Sequence, residues 1–183
     1  MIDMGQQAGY RPFPYVARRN LTQELLEVPL VVRAFGLGRG SRMLEVGCGR
    51  GVALPVLARL CAPQYLAGID IDPDALADAR RRLTDRGVVA GLMRADVRRL
   101  PFPADSFDVV IDFGTCYHIS SPELALAEIA RVLGSGGLFV YETPLSQLMS
   151  HPVRSFGRRL PWRLVPQFRR HKARLLWASR VLS

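Results

Sequence analysis

The chain has 183 residues, of which 49% are apolar, enough for one domain with a buried core and without an apolar run of bilayer length. Its three cysteines, Cys48, Cys61 and Cys116, are odd in number and lack C-x-x-C spacing, which argues against a disulfide framework or structural zinc and for reduced thiols in a cytoplasmic protein. The net charge of +9 is unevenly placed: residues 1–144 carry 16 Lys/Arg and 16 Asp/Glu, whereas residues 145–183 carry nine bases and no acid.

In chain order, the opening "MIDMGQQAGY" has neither a basic nor an apolar leader region, so no signal peptide is expected. Residues 1–19 read as a loosely structured arm. Asn20 can cap a helix, with Gln23 three residues on, and that helix runs to about Phe35 with a break or kink near Pro29. "GLGRGS" is a turn. "RMLEV" (Arg42 to Val46) is a short buried strand and "VALPVLARL" a helix that tolerates Pro55 in its first turn. "YLAGID" is a second strand. Asp72 then caps a helix with Pro73 at its first position. "AGLMRAD" and "FDVVIDFG" are the third and fourth strands. Ser121–Pro122–Glu123 starts the next helix, "GSGG" stops it, and "LFVYETP" is a fifth strand. Strands alternating with helices predict an α/β fold with a mostly parallel sheet.

The stretch "LEVGCGRG" (Leu44 to Gly51) joins the first strand to its helix, where glycines let backbone approach a ligand. No Lys–Ser or Lys–Thr follows, which sets a P-loop aside. Gly47-Cys48-Gly49-Arg50-Gly51 brings its third glycine one residue early for a dinucleotide motif. Glu45 discriminates further, because a carboxylate there repels a pyrophosphate and attracts an ammonium. The expected ligand carries positive charge, as S-adenosylmethionine does in its α-ammonium and sulfonium. Asp70, with Ile71 beside it, ends the second strand and can accept ribose hydroxyls. Asp96 ends the third and can accept from an adenine amino group, while the Val97 N–H can donate to a ring nitrogen.

"LEVGCGRG", "GIDIDPDAL", "ADVRRLPFPADSFDVVIDFGTCYHI" and "EIARVLGSGGLFVYETP" together resemble the class I S-adenosylmethionine-dependent methyltransferases, in particular the type 11-like branch that acts on small molecules and lipids. The resemblance covers about residues 40–144. It implies a Rossmann-like fold in one domain: an N-terminal arm and helix (1–39), a cofactor-binding core (40–144) and a basic C-terminal segment (145–183). It implies Glu45, Gly47, Cys48, Gly49 and Gly51 around the methionine part, Asp70 on the ribose, and Asp96 with Val97 on the adenine. Phe113 is placed near the cofactor beside the substrate opening. His118, in "GTCYHI", is placed at the substrate pocket, where a histidine can act as general base or simply shape the cleft. Tyr117 and Glu142 are similarly placed, and Tyr15, Arg18 and Arg19 of the arm can meet the cofactor carboxylate. No metal is expected.

The family pattern continues past the fifth strand with a helix and an antiparallel hairpin, but only a shortened, basic segment remains here. "ARLLWASRVL" reads equally as a strand, with Leu175, Trp177 and Val181 on one face, or as a helix. Its charge fits peripheral contact with an anionic membrane, nucleic-acid phosphates, or solvent alone. The expected function is methyl transfer to a small-molecule acceptor, such as a lipid or quinone. An RNA methyltransferase, a non-catalytic cofactor-binding or docking module and a nicotinamide-dependent oxidoreductase remain open beside it. "DFGTCYH" contains neither an Asn-Pro-Pro-Tyr-type run nor a Pro-Cys pair, which counts against two RNA-modifying chemistries.

Overall fold

The computed structural model describes residues 16–116, 118–142 and 177–182. Five parallel strands form the sheet: β1 (Arg42–Val46), β2 (Tyr65–Asp70), β3 (Gly91–Arg94), β4 (Phe107–Asp112) and β5 (Leu133–Glu142). A sixth, β6 (Trp177–Leu182), runs antiparallel to β5, and the order is β3-β2-β1-β4-β5-β6. The helices are α1 (Val16–Thr22), α2 (Val28–Phe35), α3 (Ala53–Cys61), α4 (Pro73–Asp85) and α5 (Pro122–Val132). This is the mostly parallel α/β sheet expected from the strand–helix alternation, in the Rossmann-like arrangement that the family resemblance implies.

Both faces of the sheet are covered, which is why the strands read as continuous apolar runs. Successive residues of β1 alternate between two cores. Met43 packs with Val28, Val31, Leu54, Leu57 and Leu76 on one face. Leu44 and Val46 pack with Ile69, Val110, Ile129 and Phe139 on the other. Asp72 caps α4 as expected, accepting from the N–H groups of Asp74 at 2.9 Å and Ala75 at 3.3 Å.

Two local expectations, Asn20 as a cap and "GSGG" as a stop, need correction, and two others, the break near Pro29 and the helix start at Ser121–Pro122, hold with added detail. Asn20 lies inside α1 and caps nothing, because the helix begins at Val16. The break near Pro29 is a π turn over Gln23–Glu27, in which the Val28 N–H bonds to the Gln23 carbonyl; Pro29 has no N–H to continue the regular ladder. Ser121 precedes α5 in a left-handed conformation with no side-chain cap bond, and Pro122 alone marks the helix start. The glycines of "GSGG" lie within β5 as an irregularity rather than between elements: Phe107 pairs with Leu133, yet Val109 pairs with Leu138. The strand reading of the C-terminal segment holds for Trp177–Leu182. The expectations for Tyr15, Tyr117 and most of residues 145–183 fall outside the described residues.

Candidate functional site

The order of the sheet reverses between β1 and β4, and open α/β sheets bind ligands beyond the carboxyl ends of their strands at that point. A cleft of about 390 Å³ lies there. Its walls include Gly47 and Gly49 after β1, Asp70 and Ile71 after β2, and Asp96 and Val97 after β3. Phe113 and His118, after β4, and Arg19 of α1 complete them.

The glycine turn is built by conformations that side chains disfavour. Gly47 and Gly49 have φ of 63° and 51°, in the left-handed region. At Gly47 a Cβ would also fall 1.7 Å from Thr115 Oγ1. The Gly49 N–H donates to Asp70 Oδ2 at 2.7 Å, and the Asp72 N–H donates to Oδ1 at 2.9 Å. Asp70 therefore holds the glycine turn against the end of β2 while facing the cleft. Cys48 and Gly51 serve the packing instead. Cys48 is buried over Gly68, where a Cβ would meet its Sγ at 2.9 Å, and Gly51 faces Ala79 of α4. Burial, with Glu45 and Asp70 nearby, pushes the Cys48 thiol far above its ordinary range, so it is inert at neutral pH.

Four adjacent parallel strands each carry an acid at or beside the carboxyl end: Asp70 on β2, Glu45 on β1, Asp112 on β4 and Glu142 on β5. Glu45 is 1% exposed and its Oε2 has no hydrogen-bond partner among the described residues. It lies beneath the cleft lining rather than in it. Burial pushes its carboxyl well above the usual carboxylate range, Asp70 and Asp112 push it further, and Arg19 pulls it back. Arg19 Nη1 is 2.6 Å from Glu27 Oε2, and its Nη2 is 3.8 Å from Glu142 Oε2. One guanidinium thus reaches the cleft from α1 while tied to two buried acids.

Two features here were not legible beforehand. Asp112 is buried, and its carboxylate accepts from the N–H groups of Gly114 at 2.9 Å, Thr115 at 2.5 Å and Cys116 at 2.9 Å. This folds the loop after β4 back on itself, carries Phe113 to the cleft wall and seats Thr115 on Gly47. An acid followed by "FGT" is the turn signal that was available. The second is Arg98. β3 ends at Arg94, so Asp96 lies in the following loop rather than at the strand end. There its Oδ2 takes the Arg98 Nη2 at 2.6 Å and its Oδ1 takes the Arg98 N–H at 2.9 Å, while Arg98 Nη1 reaches Ser120 Oγ at 3.0 Å. Hydrogen bonding to Arg98 holds the Asp96 carboxyl below its usual range. His118 is exposed on the cleft wall, and its backbone N–H bonds to the Thr115 carbonyl at 3.0 Å.

The family model described as "Methyltransferase domain" matches residues 44–141, more than half of the chain. A fatty-acid O-methyltransferase of Mycolicibacterium smegmatis is 38% identical over 104 residues, covering 56% of this chain and 36% of that protein. A phosphatidylethanolamine N-methyltransferase of Cereibacter sphaeroides is 38% identical over 101 residues, covering 54% and 48%. The chain thus spans about half or less of the length of these curated relatives. Among solved structures, a SAM-dependent methyltransferase from Aquifex aeolicus superposes with a TM-score of 0.62 at 23% identity, over 71% of this chain and 72% of that one, and shares the fold.

Proposed function

The chain belongs to the methyltransferase-domain family, and from that premise we propose that it transfers a methyl group from S-adenosylmethionine to a small-molecule acceptor of lipid character. The observation that carries this reading is Glu45: a buried acid with one oxygen that has no hydrogen-bond partner among the described residues, directly under a left-handed glycine turn. A buried acid in that state is stabilised by a ligand cation, and a pyrophosphate ligand would be repelled.

The residues present fit the donor. Gly47 and Gly49 leave room for the methionine part, Glu45 attracts its ammonium, and Arg19 is placed for its carboxylate. Asp70 accepts from the ribose hydroxyls with the lone pairs that Gly49 and Asp72 leave free. Asp96, with Val97, meets the adenine, and Arg98 keeps Asp96 ionised and oriented. When bound, the donor supplies an electrophilic methyl on sulfonium, which an acceptor oxygen, nitrogen or carbon attacks in line. The chain's own contribution is alignment and exclusion of water, with Phe113 beside the opening. His118 takes the proton from an acceptor that is not already anionic. The lipid character is supported by the fatty-acid and phospholipid relatives. The basic segment 145–183 suits an anionic surface at which such an acceptor would be presented.

Calorimetric titration with S-adenosylhomocysteine, with NADH as control, tests the reading. Micromolar binding of the former alone is expected, with a melting shift to match, since a ligand at a hundred times its dissociation constant stabilises a fold by about 2.7 kcal/mol. Folded protein that binds neither, or NADH alone, overturns it.

A further inference from the structure

The N-terminal helices carry two apolar faces. The inner one, Val28, Val31 and Val32, is buried in the core. The outer one consists of Leu21, Leu25, Leu26 and Leu30, which are 56%, 60%, 50% and 38% exposed. A helix on the surface of a soluble fold ordinarily turns polar residues outward, and one that is apolar all round is covered by something. The π turn over Gln23–Glu27 falls in the middle of this stretch and sets two leucines side by side on the outside.

Charge decides what covers it. Glu24 and Glu27 are the acids of residues 16–35. Glu24 is held by Arg86 at 2.8 Å, with Arg82 at 3.9 Å, and Glu27 is buried on Arg19 at 2.6 Å. Neither presents a free carboxylate to a partner. Arg33 is exposed at the end of the stripe, and the chain's entire excess of positive charge lies in residues 145–183. A leucine stripe that ends on the exposed Arg33 and presents no free acid matches an anionic lipid surface and repels a basic partner. No helix among the described residues is long and apolar enough to cross a membrane, so the contact is peripheral.

We propose that the outer leucine face of residues 21–30 docks on an anionic lipid bilayer, lying in its interface. The choice of lipid rests on the lipid-acceptor reading above; the existence of the face does not. Residues two apart on a helix face opposite ways, so the outward leucine face is a surface distinct from the inward side on which Arg19 lines the cleft.

The test is co-sedimentation of the full chain with phosphatidylcholine vesicles, with and without phosphatidylglycerol, at low and high salt. Binding to the anionic vesicles is expected, and Leu21→Gln/Leu25→Gln/Leu26→Gln/Leu30→Gln should weaken it by at least about tenfold. Leu21→Gln and Leu25→Gln singly give smaller losses and keep the test alive if the fourfold variant does not fold. Circular dichroism and S-adenosylhomocysteine affinity, both expected unchanged, report the fold and the cleft separately. No vesicle binding by the unaltered chain overturns the proposal. So does binding that the leucine variants leave unchanged, which would assign the contact to the basic segment alone. A dimer in sedimentation velocity that the leucine variants dissociate would assign the face to a second copy and likewise overturn it. Vesicle binding without S-adenosylhomocysteine binding would leave the surface standing and remove the proposed chemistry.

Discussion

The two ends of the sheet treat charge in opposite ways. At the amino ends Arg42 starts β1 and meets Asp108 near the start of β4: its N–H and Nη2 reach the two carboxylate oxygens, each at 2.8 Å, in full view of solvent. A cavity of about 730 Å³ opens at the amino ends of β2 and β3, lined by residues such as Val56, Tyr65, Val88 and Gly91. It is the larger of the two, yet its acid, Glu24, is already matched by Arg86. At the carboxyl ends the cleft is smaller, but one oxygen of the buried Glu45 has no hydrogen-bond partner among the described residues. An unsatisfied buried acid, and not volume, distinguishes the end of the sheet at which the proposed site lies.

The contrast breaks most visibly at Gly47. Gly47→Ala should cost about 3 kcal/mol of stability, combining the left-handed backbone with a clash on Thr115. Gly49→Ala, which meets nothing within 4 Å, should lose less than half of that. Thermal melts compare the two, and equal losses would mean that Thr115 does not wedge the turn. Asp70→Ala comes next. It removes a charged acceptor from the cleft wall and should weaken S-adenosylhomocysteine binding about 100-fold while the fold persists. Unchanged affinity in calorimetry would remove Asp70 from the site.

Asp112→Asn sharpens the comparison by testing a carboxylate that is already satisfied. Swapping one acceptor oxygen for a donor opposite three backbone N–H groups should cost about 2 kcal/mol, with the loss spread to the cleft through Phe113. Denaturant unfolding measures it, and a variant as stable as the parent would show that the loop holds without its crown.

Glu45 supplies the pH dependence. Its folded pKa is raised, so its contribution is fully present below the ordinary carboxylate range and is lost as pH rises towards the folded value. The slope can reach about 1.4 kcal/mol per pH unit in ligand-free protein, and Glu45→Gln should abolish it. A cationic ligand favours the carboxylate, so binding should release a proton, seen as heats that vary with the buffer's ionisation enthalpy. Uptake of a proton would contradict the assignment. The smallest effect belongs to the amino end: Arg42→Gln should leave S-adenosylhomocysteine affinity unchanged and the melt nearly so, because exposed pairs are screened by solvent.

The central strands of the sheet were legible in the sequence because they are buried on both faces. β1, β2 and β4 read as short apolar runs ended by an acid or glycine, and Asp72–Pro73 is a local signal that needs no tertiary context. The misreadings have tertiary causes. Asn20 has a capping side chain, but Arg19 is carried inward by a helix that runs straight through it to reach Glu27. The glycines of "GSGG" do follow a helix end, yet pairing with β4 draws them into β5. Asp70 lines the cleft from the end of β2 and Asp96 from the loop after β3 rather than from the strand end, whereas Glu45 lies one layer deeper. The pairing of Asp96 with Arg98 depends on a loop that bends two residues after β3 has ended, which spacing alone does not reveal.

The reversal of strand order between β1 and β4 has a kinetic side. β1, β2 and β3 join near neighbours along the chain, as β4 and β5 do, whereas the seam between the two halves joins Arg42 to Asp108, 66 positions away. Closing so long a loop makes that seam the entropically costliest contact in the parallel sheet. The cleft straddles it, with the glycine turn and Asp70 from one half and the loop crowned by Asp112 from the other. A cleft assembled this way exists only after the halves have docked, and any molecule seated in it clasps both, slowing hydrogen exchange across the seam as well as around the ligand.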